Sequence, residues 1–245
     1  MDRHRGFTVI EVMLFLAITG VIMATLLTGV SVGLNRERYH DAVSSFADFM
    51  RGQYNDTVNV NNSRPQTDVC GVSGIIVGGG TTSSPIAGAS EGCTVVGQLV
   101  TSSADGQTVG YQKLYATVDA LTLPRNDSDT DTQILSDAGL VADPKKETYD
   151  MGWSSRLVGA GSENNTPLRF SIVIVRMPTS GLVHTYVLRE ADKKPSEVIA
   201  SGTTNTDYLM CVDTAGLTGT KAIGVVLQAN AVNSGGVNFV PEGTC

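Results

Sequence analysis

The chain has 245 residues, is 41% hydrophobic and 17% charged, and carries a net charge of −7. The apolar content excludes a disordered chain, and the length allows one moderate domain plus an appendage. The acidic balance speaks against a generic nucleic-acid binder, which needs Lys and Arg to displace counterions.

The chain opens on a short basic leader, residues 1–6, that contains Arg3, His4 and Arg5 and ends in Gly6. An apolar run starts at Phe7, interrupted early by one carboxylate, Glu11. From Val12 to Leu34 no Asp, Glu, Lys, Arg or Pro occurs, which is long enough to cross about 30 Å of hydrocarbon as a helix. An acid inside such a helix costs roughly 2.5–3.5 kcal/mol on insertion scales, so Glu11 asks for a partner. Arg3 and Arg5 predict a cytoplasmic N-terminus and a single-pass topology with an extracytoplasmic C-terminus. A cleaved secretory signal fits poorly, because it would place its small residue after the apolar run, whereas Gly6 stands before it. A plain anchor leaves Glu11, at its fixed distance from Gly6, unexplained.

Residues 7–34 are thus read as the membrane helix and residues 35–58 as its continuation into a stalk. Tyr39, Ala42, Val43, Phe46, Phe49 and Met50 recur at steps of three and four, a stripe that packs under a sheet. Gly52 and the run Asn59-Val60-Asn61-Asn62 mark the expected helix end. Residues 59–245 read as a β-rich head. Segments 94–101, 110–118, 168–177, 182–189, 208–213 and 222–229 are rich in Val, Ile, Thr and Tyr, and Pro178-Thr179-Ser180-Gly181 reads as a hairpin turn. Residues 71–92 read as a Gly/Ser/Thr loop with a short strand at 75–77, and residues 121–165 as a long polar insertion with a short helix at 132–138. The fold class is α+β: a long N-terminal helix packed against an antiparallel sheet.

Four cysteines, Cys70, Cys93, Cys211 and Cys245, follow the apolar run. An even count on the translocated side suggests disulfides. Three pairings are open to them. Closure of one local loop each favours Cys70–Cys93 and Cys211–Cys245, and reduced buried thiols are the alternative.

The block Gly6-Phe7-Thr8-Val9-Ile10-Glu11-Val12, set before a long apolar helix, resembles the N-terminus of type IV pilins and of type II secretion pseudopilins. The resemblance implies cleavage between Gly6 and Phe7, methylation of Phe7, and a carboxylate at Glu11 that meets the new α-ammonium of an adjacent subunit and so reports register during assembly. Its implied partners are other pilin subunits, a prepilin peptidase, and an assembly platform driven by an ATPase. Its implied location is the cytoplasmic (inner) membrane before assembly and a surface filament or periplasmic pseudopilus after it. Major pilins often carry Pro in mid-helix. The matching stretch here is Thr25-Leu26-Leu27-Thr28-Gly29, leaving Gly20, Gly29 and Gly33 as weaker breakers, which leans towards a minor pilin or pseudopilin. Cys211-Val212-Asp213-Thr214-Ala215-Gly216 with the terminal Cys245 is loosely similar to GspH/FimT-like pseudopilins.

Other chemistry is sparse. Asp127, Asp129 and Asp131 have the alternate spacing of a calcium loop, but Thr132 stands where an EF-hand needs Gly and Ala138 where it needs Glu. A looser calcium site is the remaining candidate beside a solvated acidic loop, and no other cofactor or metal is expected. His4, His40 and His184 form no H-x-x-x-H pair, no G-x-S-x-G elbow exists, and Gly78-Gly79-Gly80 lacks the Lys-Ser/Thr of a phosphate loop. The chain is read as a structural protein rather than an enzyme. The alternative is a filament-tip binding module, an adhesin or a DNA-uptake receptor, for which Lys193-Lys194 is the best basic anchor. Nucleic acid is a disfavoured partner.

Overall fold

The computed structural model describes residues 8–59, 69–71, 74–76, 93–117, 130–161, 166–177, 180–213, 222–241 and 243–245. A single helix, α1 (Val9–Val58), runs for 50 residues, roughly 75 Å at 1.5 Å per residue. Its two halves have different surroundings. Residues 8–34 are exposed apart from the half-buried Thr19. From Tyr39 onward one face is buried, through Ala42, Val43, Phe46, Ala47, Met50, Gln53, Tyr54 and Thr57. The helix passes unbroken through Gly20, Gly29 and Gly33. It also passes Gly52, where the sequence suggests an end. Gly costs about 1 kcal/mol in a helix, and burying the turn that carries Gln53, Tyr54 and Thr57 outweighs it, since one large side chain contributes about 1.5–3 kcal/mol. The helix ends where Asn59 N–H bonds Asn55 O (2.8 Å) and the Arg176 guanidinium donates to the Val58 carbonyl (3.0 Å).

Among the described residues the head holds two antiparallel sheets and one small hairpin, β1 (Val69–Gly71) with β2 (Gly74–Ile76). The first sheet is built on β3 (Cys93–Ser102), β4 (Thr108–Thr117), β8 (Ser171–Arg176) and β9 (Val183–Leu188), in the order β4-β3-β8-β9. The outer edge of β4 is covered in two pieces. β5 (Val141–Ala142) pairs its C-terminal part and β6 (Glu147–Asp150) its N-terminal part. The second sheet has the order β12-β11-β10-β7, with β7 (Arg156–Val158), β10 (Tyr208–Asp213), β11 (Ile223–Leu227) and β12 (Val237–Val240). Between Val95 and Gly97 the β3–β4 register shifts by a bulge. A side chain at Gly97 would run into the Ile174 carbonyl, so the neighbouring strand can approach there only over glycine.

The stalk half of α1 lies in the main core. Phe46, Met50 and Tyr54 pack with Ile172 and Ile174 of the first sheet and with Met210 and Val225 of the second. The opposite face of the first sheet is covered by α2 (Asp131–Asp137) and α3 (Pro195–Ser201), whose Leu135, Val198 and Ile199 meet Leu99, Leu114 and Val173. This accounts for the strand Ser171-Ile172-Val173-Ile174-Val175, which reads apolar without alternation and is buried on both faces. Phe49, expected in the core stripe, is only half-buried, because it stacks on Tyr149 (ring centroids 4.4 Å apart) at the sheet margin. Ala47 takes a core place instead. Partial burial there raises the Tyr149 hydroxyl's pKa to about 12, with the charges of Asp41 and Asp48 adding to the effect.

The expected hairpin joins β8 to β9. Met177 N–H bonds Leu182 O, and Gly181, at φ +73°, returns its N–H to Met177 O, both at 2.8 Å. Pro178 and Thr179 lie outside the described residues.

Cys211 and Cys245 form a disulfide with Cα atoms 5.8 Å apart, tying the C-terminal residue to β10. Gly224 on the adjacent strand leaves room for the bridge, since a side chain there would meet Cys245 Sγ and Leu209. Closing the 34-residue separation is worth about 2–4 kcal/mol in the chain-entropy picture. Replacing both with Ser is therefore expected to lower the Tm on the order of 10 °C, read by calorimetry under non-reducing conditions. An unchanged Tm would show that the bridge adds nothing. Cys70 and Cys93 are the other expected pair, and their side chains lie outside the described residues.

Candidate processing and assembly site

The first described turn is built around Thr8 and Glu11. Thr8 is the N-cap of α1, in extended backbone (φ −76°, ψ 150°). Glu11 N–H donates to Thr8 Oγ1 at 3.3 Å, and the Glu11 carboxylate accepts from both Thr8 N–H and Thr8 Oγ1–H at 3.2 Å. This is a reciprocal capping box that satisfies donors left free at a helix start. It also puts a negative charge at the positive end of the helix dipole. Thr-x-x-Glu before an apolar run is legible in the sequence as such a box. The sequence reading of Glu11 as an acid within the membrane passed over it. Gly6 and Phe7, between which cleavage is expected, lie outside the described residues.

Beyond this turn the helix presents an unbroken apolar cylinder. Ile10, Phe15, Val21 and Leu26 are each more than half exposed. So large an apolar surface on an isolated soluble subunit would be an aggregation hazard. The threonines are compatible with an apolar surround because they bond back into their own helix: Thr19 Oγ1 to Phe15 O at 2.8 Å, Thr25 to Ile22 O at 2.8 Å, and Thr28 to Thr25 O at 2.9 Å. Among the described residues α1 is the one helix long and apolar enough to cross a membrane.

Residues 1–27 match the prokaryotic N-terminal methylation motif. The chain thus carries the signature of type IV pilins and pseudopilins, whose members are structural rather than enzymatic. The match covers the leader, the capping box and most of the apolar run, and leaves the stalk and head unmatched. No curated protein and no solved structure matches the chain. The methylation motif and the exposed apolar helix together suit a membrane-anchored, pilin-like subunit, and the motif implies assembly with other pilin subunits and processing by a prepilin peptidase.

The remaining candidate residues are spread over the head. Asp131, the third acid of the candidate calcium loop, opens α2, and its Oδ2 lies 2.8 Å from His184 Nε2 on β9. Thr132 beside it shares a 3.0 Å hydrogen bond with the Tyr186 hydroxyl. Together these contacts clasp α2 onto the first sheet. Asp127 and Asp129 lie outside the described residues. Among the described residues no group of three His, Cys, Asp or Glu side chains is placed to hold a metal ion. Lys193, of the candidate basic anchor, and Lys146 both meet acids of the loop before α3: Lys193 Nζ lies 2.7 Å from Glu190 and Lys146 Nζ 3.4 Å from Asp192.

Proposed function

We propose that this pilin-like subunit is a minor pilin or pseudopilin, cut between Gly6 and Phe7, methylated at Phe7, and added to a filament through the exposed half of α1. The observation that supports this best is the division of one continuous helix. Its first half is apolar and bare, and its second half is sealed into the head by Tyr39, Phe46 and Tyr54. The bare half needs lipid as a monomer and neighbouring helices as a polymer, and moving between the two is what assembly requires. Burying an aliphatic side chain in helix contacts rather than lipid brings little hydrophobic gain, so close packing and polar contacts must drive association. On this reading Glu11 supplies such a contact. Its carboxylate is gathered at the helix start, where a neighbour's α-ammonium can join it and offset the cost of burying both charges.

The leader is the first test. Gly6→Ser in cells that make the peptidase is expected to leave the intact precursor in the membrane, with no methylated Phe7 detectable by mass spectrometry of the purified chain. A Gly6→Ser chain trimmed and methylated like the parent, or a parent that keeps residues 1–6, would overturn the assignment.

A further inference from the structure

We infer that Trp153 is a lipid-headgroup anchor, which before assembly rests in the interfacial layer of the membrane on the side where the head emerges. The inference rests on reading residues 7–34 as a membrane span. It starts from position. Trp153 Nε1–H donates to Asp41 Oδ2 at 3.1 Å, and the Arg38 guanidinium lies 5.0 Å from the centroid of the Trp153 ring. Arg38 and Asp41 follow Leu34, where the charge-free run ends, by four and seven residues; with Leu34 at the hydrocarbon edge they lie roughly 6–10 Å beyond it at 1.5 Å per helical residue. The polar layer on each face of a bilayer is about 5–8 Å deep. The ring is thus carried at headgroup level or at its outer margin.

The chemistry suits that layer. An indole has a broad apolar body and one donor, and such rings collect at membrane–water boundaries. Trp153 is 48% exposed, and its one donor is already engaged by Asp41. The ring beside it is what remains to be covered. Arg38 adds a cation at the level of lipid phosphates.

The backbone is built to hold the ring out. Gly152, Trp153 and Ser154 have φ of +67°, +50° and +58°, three successive left-handed residues. For a side chain as bulky as Trp this conformation is costly, and it persists only where the surroundings over-determine it. They do so here. Met151 and Ser155 on either side are buried, Ser155 N–H bonds Gly152 O at 3.0 Å, and Ser155 Oγ–H bonds Gly152 O at 2.7 Å and Met151 O at 3.0 Å. A turn fixed from within thus displays one aromatic ring at the foot of the head.

Trp153 is the only tryptophan in the chain, so its emission reports on this site alone. The full chain is reconstituted into vesicles of phosphatidylcholine and phosphatidylglycerol that carry either headgroup-nitroxide lipid or lipid brominated near the acyl terminus. Insertion of the helix is scored separately by resistance to alkaline carbonate extraction. Expected are an inserted chain, emission cut by half or more by the headgroup label, and several-fold weaker quenching by the deep bromines. An inserted chain whose emission neither label quenches overturns the headgroup anchor and leaves the membrane span standing. Shielding from both labels that grows with the protein-to-lipid ratio assigns the ring to a second copy and overturns it equally. A chain released by carbonate overturns both readings.

Discussion

Glu11→Gln is expected to exclude the processed subunit from filaments as fully as Glu11→Ala does. Two roles meet on this side chain, and they differ in size. As a cap, its carboxylate holds Thr8 N–H and Thr8 Oγ1–H at 3.2 Å. Losing a cap costs about 1 kcal/mol, and Gln serves at this position of a capping box almost as well as Glu. As a charge partner it would face a neighbour's α-ammonium within a helix bundle. Removing one member of a buried pair costs about 3–5 kcal/mol, because the other charge is left uncompensated, and this is a factor of at least 100 in incorporation. The amide thus keeps the cap and loses the charge. Incorporation is measured as the fraction of antigen in sheared filaments or pseudopili against the membrane fraction, with leader removal checked by mass. Near-parental incorporation of Glu11→Gln alongside loss for Glu11→Ala would reduce Glu11 to a helix cap. Near-parental incorporation of both would remove it from assembly altogether.

Tyr39→Ala is expected to be the most destabilising single change in the stalk half of α1. Tyr39 is fully buried. Its hydroxyl donates to Val212 O at 2.9 Å and accepts from Ile223 N–H, at the last paired position of β10 and β11. The truncation removes a large ring, about 3–5 kcal/mol with its cavity, and strands two backbone groups at about 1–3 kcal/mol each. These terms are not additive, but together they rival the whole stability of an ordinary domain. Tyr39→Phe separates them. It keeps the ring and loses the hydroxyl, for an expected loss of about 2 kcal/mol and a Tm lower by about 4–8 °C. Near-ultraviolet circular dichroism melts of the detergent-solubilised chain read both variants. If Tyr39→Phe melts with the parent, the hydroxyl is not what joins the second sheet to the helix.

The long helix was legible because two independent patterns meet in it: the charge-free run from Val12 to Leu34 and the stripe that starts at Tyr39. The longer apolar strands were legible for a similar reason, and β10 at Tyr208–Asp213 coincides with one of the segments read from their Val, Ile, Thr and Tyr content. What escaped was short, whether apolar, as in β7 (Arg156–Val158) and β12 (Val237–Val240), or polar. β5 has two residues, and β6 reads Glu-Thr-Tyr-Asp with mostly exposed side chains. Such strands exist because β4 has an edge to be covered, a tertiary cause with no local signature. The division of the strands into two sheets around the helix was equally invisible. It depends on which face of β8 meets Phe46 and which meets Val198, and a strand apolar on both faces does not announce a direction. At the candidate site the order is reversed. The block Gly6-Phe7-Thr8-Val9-Ile10-Glu11-Val12 was plain, and it lies within the matched residues 1–27, while the Thr8–Glu11 box was available in the sequence and passed over. The Trp153 turn, joining residues 112 positions apart, could come only from the structure.

The way the head is fastened to α1 bears on how a finished fibre would carry tension. Tyr39 grips the second sheet at one end of the stalk, Arg51 reaches the Val237 carbonyl (3.1 Å) further along, and Arg176 holds the Val58 carbonyl (3.0 Å) at the far end. A pull along the helix axis therefore loads these attachments in parallel, as shear. They must give way together, unlike a hairpin that peels one bond at a time. Mechanical lifetime is set by the rate of that concerted rupture rather than by equilibrium stability, so a subunit of modest thermal stability can still resist detachment under force.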